Sequence, residues 1–336
     1  MFQRREFLGS VAALGAAALL PGRVSAQGKP HRIDVHHHLM YPGFLDDVAG
    51  RRAGSNFKWS PQMSLEDMDK SGIALSVMSL IQPSAATTDV EKGRRIARAS
   101  NDYGAQLVRD HKGRFASFAT LPLLDTDGSL KEIAYSLDTL KAEGIALWTV
   151  YSGKYLGDPA FVPVFEELNR RKAVVYTHPT VPDCCNNLIK GVPVSTLEYN
   201  HDTTRTIASL VFGEAKTALR FPDIKFIWSH SGGTLPYLTS RFEELAGRRK
   251  SEFPDGAVPV FRKFYYEVAQ GNTPGMLAAL MHMVPISQVL FGSDFPYREA
   301  KEAVDGVANY KPFSDADRLA IDRGNTIRIM PQLKSG

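Results

Sequence analysis

The sequence predicts a single (β/α)₈ (TIM) barrel, and two observations carry this prediction. Short β-branched or apolar segments alternate with helical patterns along nearly the whole chain. Eight strand segments can be marked in this way, and one strand per helix, repeated, is typical of this barrel. A doubly wound sheet is the alternative, but no Gly-x-Gly-x-x-Gly motif stands at a strand–helix junction to hold phosphates.

The predicted elements are justified by their residue types and by the turns that bound them. The strands are apolar or β-branched and short, at Arg32–His36, Ile73–Ile81, Phe115–Leu121, Ile145–Val150, Ala173–His178, Ile224–His230, Phe264–Ala269 and Gln288–Asp294. The intervening helical patterns are Leu65–Lys70, Val90–Arg109, Ser129–Ala142, Pro159–Arg171, Thr203–Leu219, Leu235–Arg248, Pro274–Met283 and Asp315–Met330. The series has no long linker or internal repeat, which favours one catalytic domain over several.

Composition and charge exclude several classes of protein. Of 336 residues, 43% are hydrophobic and 23% charged, which excludes a disordered, collagen-like or disulfide-stapled chain. The 40 basic and 36 acidic residues give a net charge of only +4, with no extended basic run. We therefore expect no nucleic-acid partner.

The only two cysteines, Cys184 and Cys185, are adjacent. Neighbouring residues rarely reach disulfide geometry, so we expect no covalent framework and interpret the pair as small loop or core residues.

The first 26 residues have the pattern of an export signal. Arg4 and Arg5 precede Phe7 and Leu8, an apolar stretch follows, and a small-x-small sequence ends at Ala26. The paired arginines favour a twin-arginine signal, with a general secretory signal as the alternative. The apolar stretch is too short for stable membrane anchoring. We therefore expect a periplasmic protein, cleaved near Ala26, whose residues 27–336 form the barrel domain.

Histidines and acidic residues lie at the carboxyl ends of several predicted strands. In the first strand, the period of two places Asp34, His36 and His38 on one face, so that two imidazoles can reach one cation. His37 falls on the opposite face and is interpreted as structural.

Three further strands end in the same way, at His178, His230 and Asp294. In a barrel all these ends meet at one face, where catalytic sites are found. His36, His38, His178 and Asp294 would then supply three nitrogens and one oxygen, a set suited to Zn²⁺, with Mn²⁺, Co²⁺ or Fe²⁺ as alternatives. His230 is left beside the metal as the group for proton transfer.

This order of residues resembles the amidohydrolase superfamily. The pattern His36-x-His38, His178, His230 and Asp294 is similar to that of the amidohydrolase-2 branch, which includes 2-amino-3-carboxymuconate-6-semialdehyde decarboxylase, γ-resorcylate decarboxylase and 6-methylsalicylate decarboxylase. The segments Ser229–Tyr237 and Gly292–Pro296 look most like the 6-methylsalicylate decarboxylase group. The resemblance covers residues 31–331.

The resemblance implies a mononuclear, metal-dependent enzyme with a small carboxylic acid as its substrate. Two-metal members bridge their ions with a carboxylated lysine in the fourth strand, but Ile145–Val150 contains no lysine. The first implied reaction is non-oxidative decarboxylation, in which the metal binds substrate oxygens and His230, with Asp294 as a possible co-acid, handles the proton. The alternative is hydrolysis of a lactone, ester, amide or C–C bond by a metal-activated water.

Substrate contacts are expected from residues near the strand ends. Arg241 and Arg205 are candidates for binding the carboxylate, and the resemblance implies a homodimer in which Arg241 reaches the neighbouring subunit's site. For both arginines the alternative is an ion pair on a helix surface. The aromatic candidates for stacking are Trp59, Trp148 and Tyr151, and Asp34 is expected to hydrogen-bond near the ligands without binding the metal.

Overall fold

The computed structural model of this chain describes residues 31–47, 58–81, 87–185 and 188–335. The predicted export signal at 1–26 lies outside the described residues.

Eight strands form the central sheet, and two more form a small hairpin. The central strands are β1 (Arg32–Leu39), β2 (Ile73–Leu80), β3 (Phe115–Thr120), β4 (Gly144–Trp148), β7 (Val174–His178), β8 (Lys225–Trp228), β9 (Tyr265–Glu267) and β10 (Val289–Leu290). The hairpin is β5 (Val150–Tyr151) and β6 (Lys154–Tyr155). Neighbouring central strands pair in parallel in the order β1-β2-β3-β4-β7-β8-β9-β10.

Helices connect the strands. The α-helices are α1 (Phe44–Asp47), α2 (Pro61–Ser71), α3 (Val90–Asp110), α4 (Thr126–Ala134), α5 (Val162–Arg170), α6 (Val194–Phe212), α7 (Thr217–Arg220), α8 (Leu235–Gly247), α9 (Val258–Phe261), α10 (Pro274–Met283), α11 (Ala300–Asn309), α12 (Asp315–Leu319) and α13 (Asn325–Ile329). Single π-helical turns follow α4 at Tyr135–Thr139 and α12 at Ala320–Gly324. Within the described ranges, none of the helices has both the length and the apolar character needed to cross a membrane.

The barrel closes between β1 and the segment that follows β10. The Val35 amide donates to the Phe291 carbonyl at 3.0 Å, and the Asp294 amide donates to the His36 carbonyl at 2.8 Å. The His38 amide then donates to the Phe295 carbonyl at 2.8 Å. The barrel prediction is confirmed, and the closing seam places Asp294 beside the two histidines of β1.

The alternation of side chains along the strands divides the core into two layers. Ile33, Val35, Leu75 and Val77 belong to an inner set contributed by the strands and sealed at one end by residues near the C-terminus, including Met330. A larger set lies between the strands and the surrounding helices. The barrel interior is therefore filled below the polar strand ends, which leaves those ends as the wall of an open cup.

Several predicted boundaries are wrong, chiefly where loops build the functional face. β8 ends at Trp228 and β10 at Leu290, so His230 begins a short 3₁₀ turn and Asp294 lies in a loop, with positive φ of 52° and 67°. The predicted helix Thr203–Leu219 is instead α6 followed by α7, because Gly213 leaves helical geometry. Helix α11 was not predicted.

The two cysteines are joined in a vicinal disulfide, so the expectation that these neighbours do not reach disulfide geometry is wrong. Because the residues are adjacent, the bond closes only a small ring and does not tie distant parts of the chain together. It lies in the loop between β7 and α6, where the Arg205 Nη2 atom is 3.9 Å from the Cys185 Sγ atom.

Asp67 offers a test of packing around α2. Its side chain is buried and accepts a hydrogen bond from the Ala300 amide at 3.2 Å, at the start of α11. Burial raises the pKa of Asp67 from 3.8 to about 6, and the nearby Asp34 and Glu299 carboxylates add to this effect. The folded state therefore binds the proton more tightly than the unfolded state does.

We expect Asp67→Asn to stabilise the protein at pH 8 by roughly 1–3 kcal/mol and to have little effect near pH 4. The stabilisation that protonated Asp67 contributes is present at low pH and is lost as the pH rises through about 6. Urea unfolding at the two pH values measures the difference, with Glu66→Gln on the exposed side of α2 as the control. Equal effects of Asp67→Asn at pH 4 and pH 8 would contradict the assignment.

Candidate metal centre

Four histidines and one aspartate meet at the open end of the barrel. One ligand atom from each of His36, His178, His230 and Asp294 lies within 4.8 Å of the others, and all four residues are buried. His38 completes the group, with its Nε2 atom 3.1 Å from the His36 Nε2 atom and 3.0 Å from the Asp294 Oδ1 atom. The structure thus brings together every residue predicted to bind the metal or to carry the proton.

The hydrogen bonds outside the cluster fix which histidine nitrogens face inward. His178 Nδ1 lies 2.8 Å from the Pro179 carbonyl, which only accepts hydrogen bonds, so Nδ1 carries the hydrogen. His36 Nδ1 lies 2.9 Å from the Glu267 Oε1 atom in the same way. When either ring is neutral, its Nε2 atom carries the lone pair and is directed at the cluster. A carboxylate or carbonyl on the far side of a ligating imidazole is the usual outer partner in metal sites.

The inward-facing imidazole nitrogens are arranged to bind a cation rather than to form hydrogen bonds with one another. His178 Nε2 is buried with no hydrogen-bond partner among the described residues, and such an atom is costly unless something binds it. The His36 and His38 Nε2 atoms, 3.1 Å apart, cannot both present lone pairs without a proton or a metal ion between them. Three nitrogens and a carboxylate oxygen are a donor set that divalent transition metals accept.

The electrostatics among the protein groups divide the histidines into two kinds. Burial lowers the pKa of His178 well below 6.5, and the neighbouring His38 and His36 lower it further. The pKa of His38 is also lowered, mainly by burial. These rings are therefore neutral near pH 7, which is the form that binds metals.

His36 and Asp294 behave as a charge pair. Burial alone would lower the pKa of His36, but the Glu267 and Asp294 carboxylates outweigh it and raise this pKa to about 10. Burial would raise the pKa of Asp294, but His36 and the other imidazoles hold it well below its usual range. The cluster thus stabilises positive charge at the position between these side chains.

Glu267, at the carboxyl end of β9, connects the ligands to the proton-transfer candidate. Its side chain is fully buried, and besides His36 it accepts hydrogen bonds from the His230 amide at 2.6 Å and the Ala269 amide at 2.6 Å. Gly292 lies against it, and a Cβ atom at that position would overlap the Glu267 Oε2 atom. One carboxylate therefore orients the His36 ring and holds the backbone of His230.

Asp34 holds the closing seam rather than facing the cluster. It accepts hydrogen bonds from the amides of His36 and Ser293, both at 3.0 Å, and from the Ser293 hydroxyl at 2.6 Å. A register shift in β1 between Asp34 and His37 turns it toward His37, whose Nδ1 lies 3.0 Å away. The expectation that Asp34 shares a face with His36 and His38 is wrong, whereas its place in the hydrogen bonding beside them is as predicted.

A cavity of about 450 Å³ opens from the cluster to solvent. Its walls combine the metal-binding residues with hydroxyl, amide and guanidinium groups. They are His178, Ser195, Thr196, Tyr199, Asn200, His230, Gln270, Asp294, Tyr297 and Arg298. Such a volume accommodates a small organic molecule, and its polar walls suit one with several hydrogen-bonding groups.

The five predicted substrate contacts lie elsewhere, since the described cavity wall includes none of them. Trp148 and Tyr151 are 2% and 0% exposed and belong to the hydrophobic core. Trp59 donates from its indole N–H to the Ser64 hydroxyl at 3.0 Å. Arg205 faces Glu198 at 3.4 Å, which is the ion pair considered as its alternative, and Arg241 is exposed on α8.

Glu267 and seven residues of the cavity wall were missed in the sequence. Glu267 had a usable signal, because an acidic residue near the end of an otherwise apolar strand needs a partner, as Asp294 does. Gln270, Tyr297 and Arg298 lie in loops and carry no comparable signal. Gln270 has a positive φ of 50° and donates from its amide nitrogen to the Asp294 Oδ2 atom.

The fold and the site define a class of protein, a barrel enzyme with one His/Asp metal centre at the carboxyl ends of its strands. The family model of the amidohydrolases matches residues 33–331. The chain belongs to this family.

Relatives of known activity match along almost the full length. The decarboxylase macB of Penicillium terrestre is 35% identical over 327 residues, covering 90% of this chain and 96% of its own. The 6-methylsalicylic acid decarboxylase of Penicillium expansum is 34% identical, covering 90% of this chain and 97% of its own. The structure of a Polaromonas dihydroxybenzoic acid decarboxylase with bound manganese has a TM-score of 0.78 at 22% identity, covering 89% and 96%.

We expect His178→Ala to remove most of the metal from the purified protein. Its Nε2 atom points into the cluster without another partner, so the substitution deletes a ligand and little else. Elemental analysis of protein purified without added metal measures the loss, with His201→Ala on α6 as the control. Undiminished metal in the His178→Ala protein would show that the cluster is not the metal site.

Proposed function

We propose that this protein is a metal-dependent carboxy-lyase that removes CO₂ from a small aromatic carboxylic acid without an oxidant. The observation that carries the proposal is the His/Asp cluster opening directly into a single polar cavity. The similarity over 90% of the chain to two fungal decarboxylases, one of them a 6-methylsalicylic acid decarboxylase, supports the choice of reaction.

One divalent ion bound by His36, His38, His178 and Asp294 is the cofactor we propose. Zinc is the first candidate because its usual ligands are histidine nitrogens and a carboxylate oxygen, and manganese, found in a structural relative, is the second. The described β4 contains no lysine and Lys154 lies in the hairpin, which supports a single ion. When bound, the ion would polarise the substrate's carboxylate and phenolic oxygens and stabilise negative charge there.

His230 is the proposed proton donor. It lines the cavity, its Nε2 atom lies 3.5 Å from the Asp294 Oδ2 atom, and neither ring nitrogen has a hydrogen-bond partner among the described residues. The ring is therefore free to meet a substrate, while the Glu267 carboxylate holds its backbone amide at 2.6 Å. The Asp294 carboxylate, whose pKa lies well below its usual range, would stabilise the protonated form of this ring.

The reaction balances with one proton. Transfer from His230 to the ring carbon that bears the carboxylate makes that carbon tetrahedral. The bond from this carbon to the carboxylate then breaks, its electron pair restores the aromatic ring, and CO₂ leaves. His230 regains a proton from solvent through the open cavity, so that the carboxylate anion and one proton become the decarboxylated arene and CO₂.

We expect the purified protein to release CO₂ from a hydroxybenzoate in H₂¹⁸O without placing ¹⁸O in a carboxylate product. A panel of hydroxybenzoates and aryl lactones, analysed by mass spectrometry, covers both reactions considered for the family. The metal-depleted protein and its metal-reconstituted form provide the matched control. Incorporation of ¹⁸O into a new carboxylate would show that the enzyme is a hydrolase.

We expect His230→Gln to lower kcat by about 10²–10⁴-fold while the metal content is retained, because general acid catalysis contributes about that much. Glutamine keeps a polar side chain of similar size but has no ionisable group that can transfer a proton to the substrate. Steady-state kinetics measure the loss of proton transfer, and elemental analysis shows whether His230 also binds the metal. Loss of metal comparable to that in His178→Ala would make His230 a ligand, contrary to the assignment.

We propose a homodimer in which Arg241 reaches the neighbouring subunit's cavity. Arg241 is exposed on α8 with no ion pair among the described residues, and Tyr237 on the same helix is 85% exposed. Sedimentation of the purified protein tests this assembly, which a monomer at micromolar concentration would contradict.

We also propose export to the periplasm through residues 1–26, on the grounds of their charge and apolar pattern. Cell fractionation of a variant in which Arg4 and Arg5 are both lysine tests the twin-arginine route. Unchanged export would favour the general secretory route.

A further inference from the structure

Arg298 is a cavity residue that the proposed mechanism does not use. It follows Asp294 by four residues, and its amide donates to the Asp294 carbonyl at 3.3 Å. The Tyr297 amide donates to the same carbonyl at 2.9 Å, and the Tyr297 ring lies against His38 with centroids 5.7 Å apart. The backbone that carries Arg298 is therefore fixed to two residues of the metal centre.

The Arg298 guanidinium is the one arginine or lysine group in the described wall of the cavity. Most arginines of the described chain are engaged, as Arg32 is with Asp322 at 3.2 Å and Arg205 is with Glu198 at 3.4 Å. Arg298 has neither an ion pair nor a side-chain hydrogen bond with any described residue, and it is exposed at the cavity mouth. A solvated guanidinium beside the site is thus available to a ligand.

We propose that Arg298 binds the carboxylate of the incoming substrate and makes the cavity selective for acids over neutral phenols. This inference rests on the proposed function, since it assumes that a carboxylic acid enters the cavity. A guanidinium presents a planar fork of N–H donors that matches the two oxygens of a carboxylate. The hydroxyl and amide groups of the wall, such as those of Ser195 and Asn200, are neutral and bind acids and phenols alike.

The proposal has a consequence for turnover. The substrate is an anion, whereas the product of decarboxylation is a phenol that no longer carries the carboxylate. Arg298 therefore contacts the substrate and not the product, which favours release of the product. Because this contact already exists in the enzyme–substrate complex, its loss raises KM more than it lowers kcat.

The test compares two ligands that differ only in the carboxylate. From a panel of hydroxybenzoates, the tightest binder to the metal-loaded protein is chosen by calorimetry, together with the phenol obtained by replacing its carboxylate with hydrogen. We expect Arg298→Gln to weaken binding of the acid about tenfold or more, the size of a hydrogen-bonded charge contact, and to leave binding of the phenol unchanged. Arg298→Lys keeps the charge but not the fork, and it should restore the affinity only in part.

Two further variants make the result specific. Arg109→Gln removes an exposed arginine at the end of α3, which leads into the opposite end of the barrel, and it should change neither affinity. Arg241→Gln tests the competing arginine from a neighbouring subunit. Equal losses for the acid and the phenol in Arg298→Gln, or a loss confined to Arg241→Gln, would overturn the proposal, as would failure of every acid in the panel to bind.

The same experiment separates this inference from the proposed reaction. Acid binding that depends on Arg298, in a protein that releases no CO₂ from any member of the panel, would contradict the decarboxylase and leave the recognition role in place. Release of CO₂ with KM unchanged in Arg298→Gln would contradict the recognition role alone.

Discussion

The seam that closes the barrel is the constraint on which the rest of the site depends. Hydrogen bonds from Val35 to Phe291, from Asp294 to His36 and from His38 to Phe295 join the first strand to the segment after the last. Asp34 reinforces this seam through Ser293. Because the last strand itself is only two residues long, these contacts outside regular strand structure bring the Asp294 carboxylate to the histidines.

Around that seam lie several buried polar groups whose arrangement is unfavourable unless a cation binds between them. Unpartnered imidazole nitrogens of His178 and His230 face the same buried space as the Asp294 carboxylate. Several residues there adopt positive φ, at His230, Gln270 and Asp294. Strained backbone and buried polar atoms cost stability, and their coincidence at one end of the barrel is characteristic of a functional site.

The sequence was sufficient for the architecture and for the residues that meet in the His/Asp cluster, because both depend on local patterns. Alternation of strand and helix predicts the barrel, and a polar residue closing an apolar strand marks each of His178, His230 and Asp294. Asp34 shows where a local pattern fails, since the register shift in β1 breaks the period of two. The loop residues of the cavity wall could not be predicted, because Arg298 and Gln270 reach the cavity through loop geometry that depends on the assembled barrel.

The hydrogen bonds of Glu267 tightly constrain one part of the site, whereas the residues in another part of the cavity wall can vary. One carboxylate holds both the His36 ring and the His230 backbone, so neither can shift without the other. Another part of the cavity wall is formed by Ser195, Thr196, Tyr199 and Asn200 of α6, a helix that contributes no residue to the metal cluster. Changes in α6 can therefore alter the shape of the ligand that is accepted while the chemistry is preserved, which gives this barrel a route to new substrates.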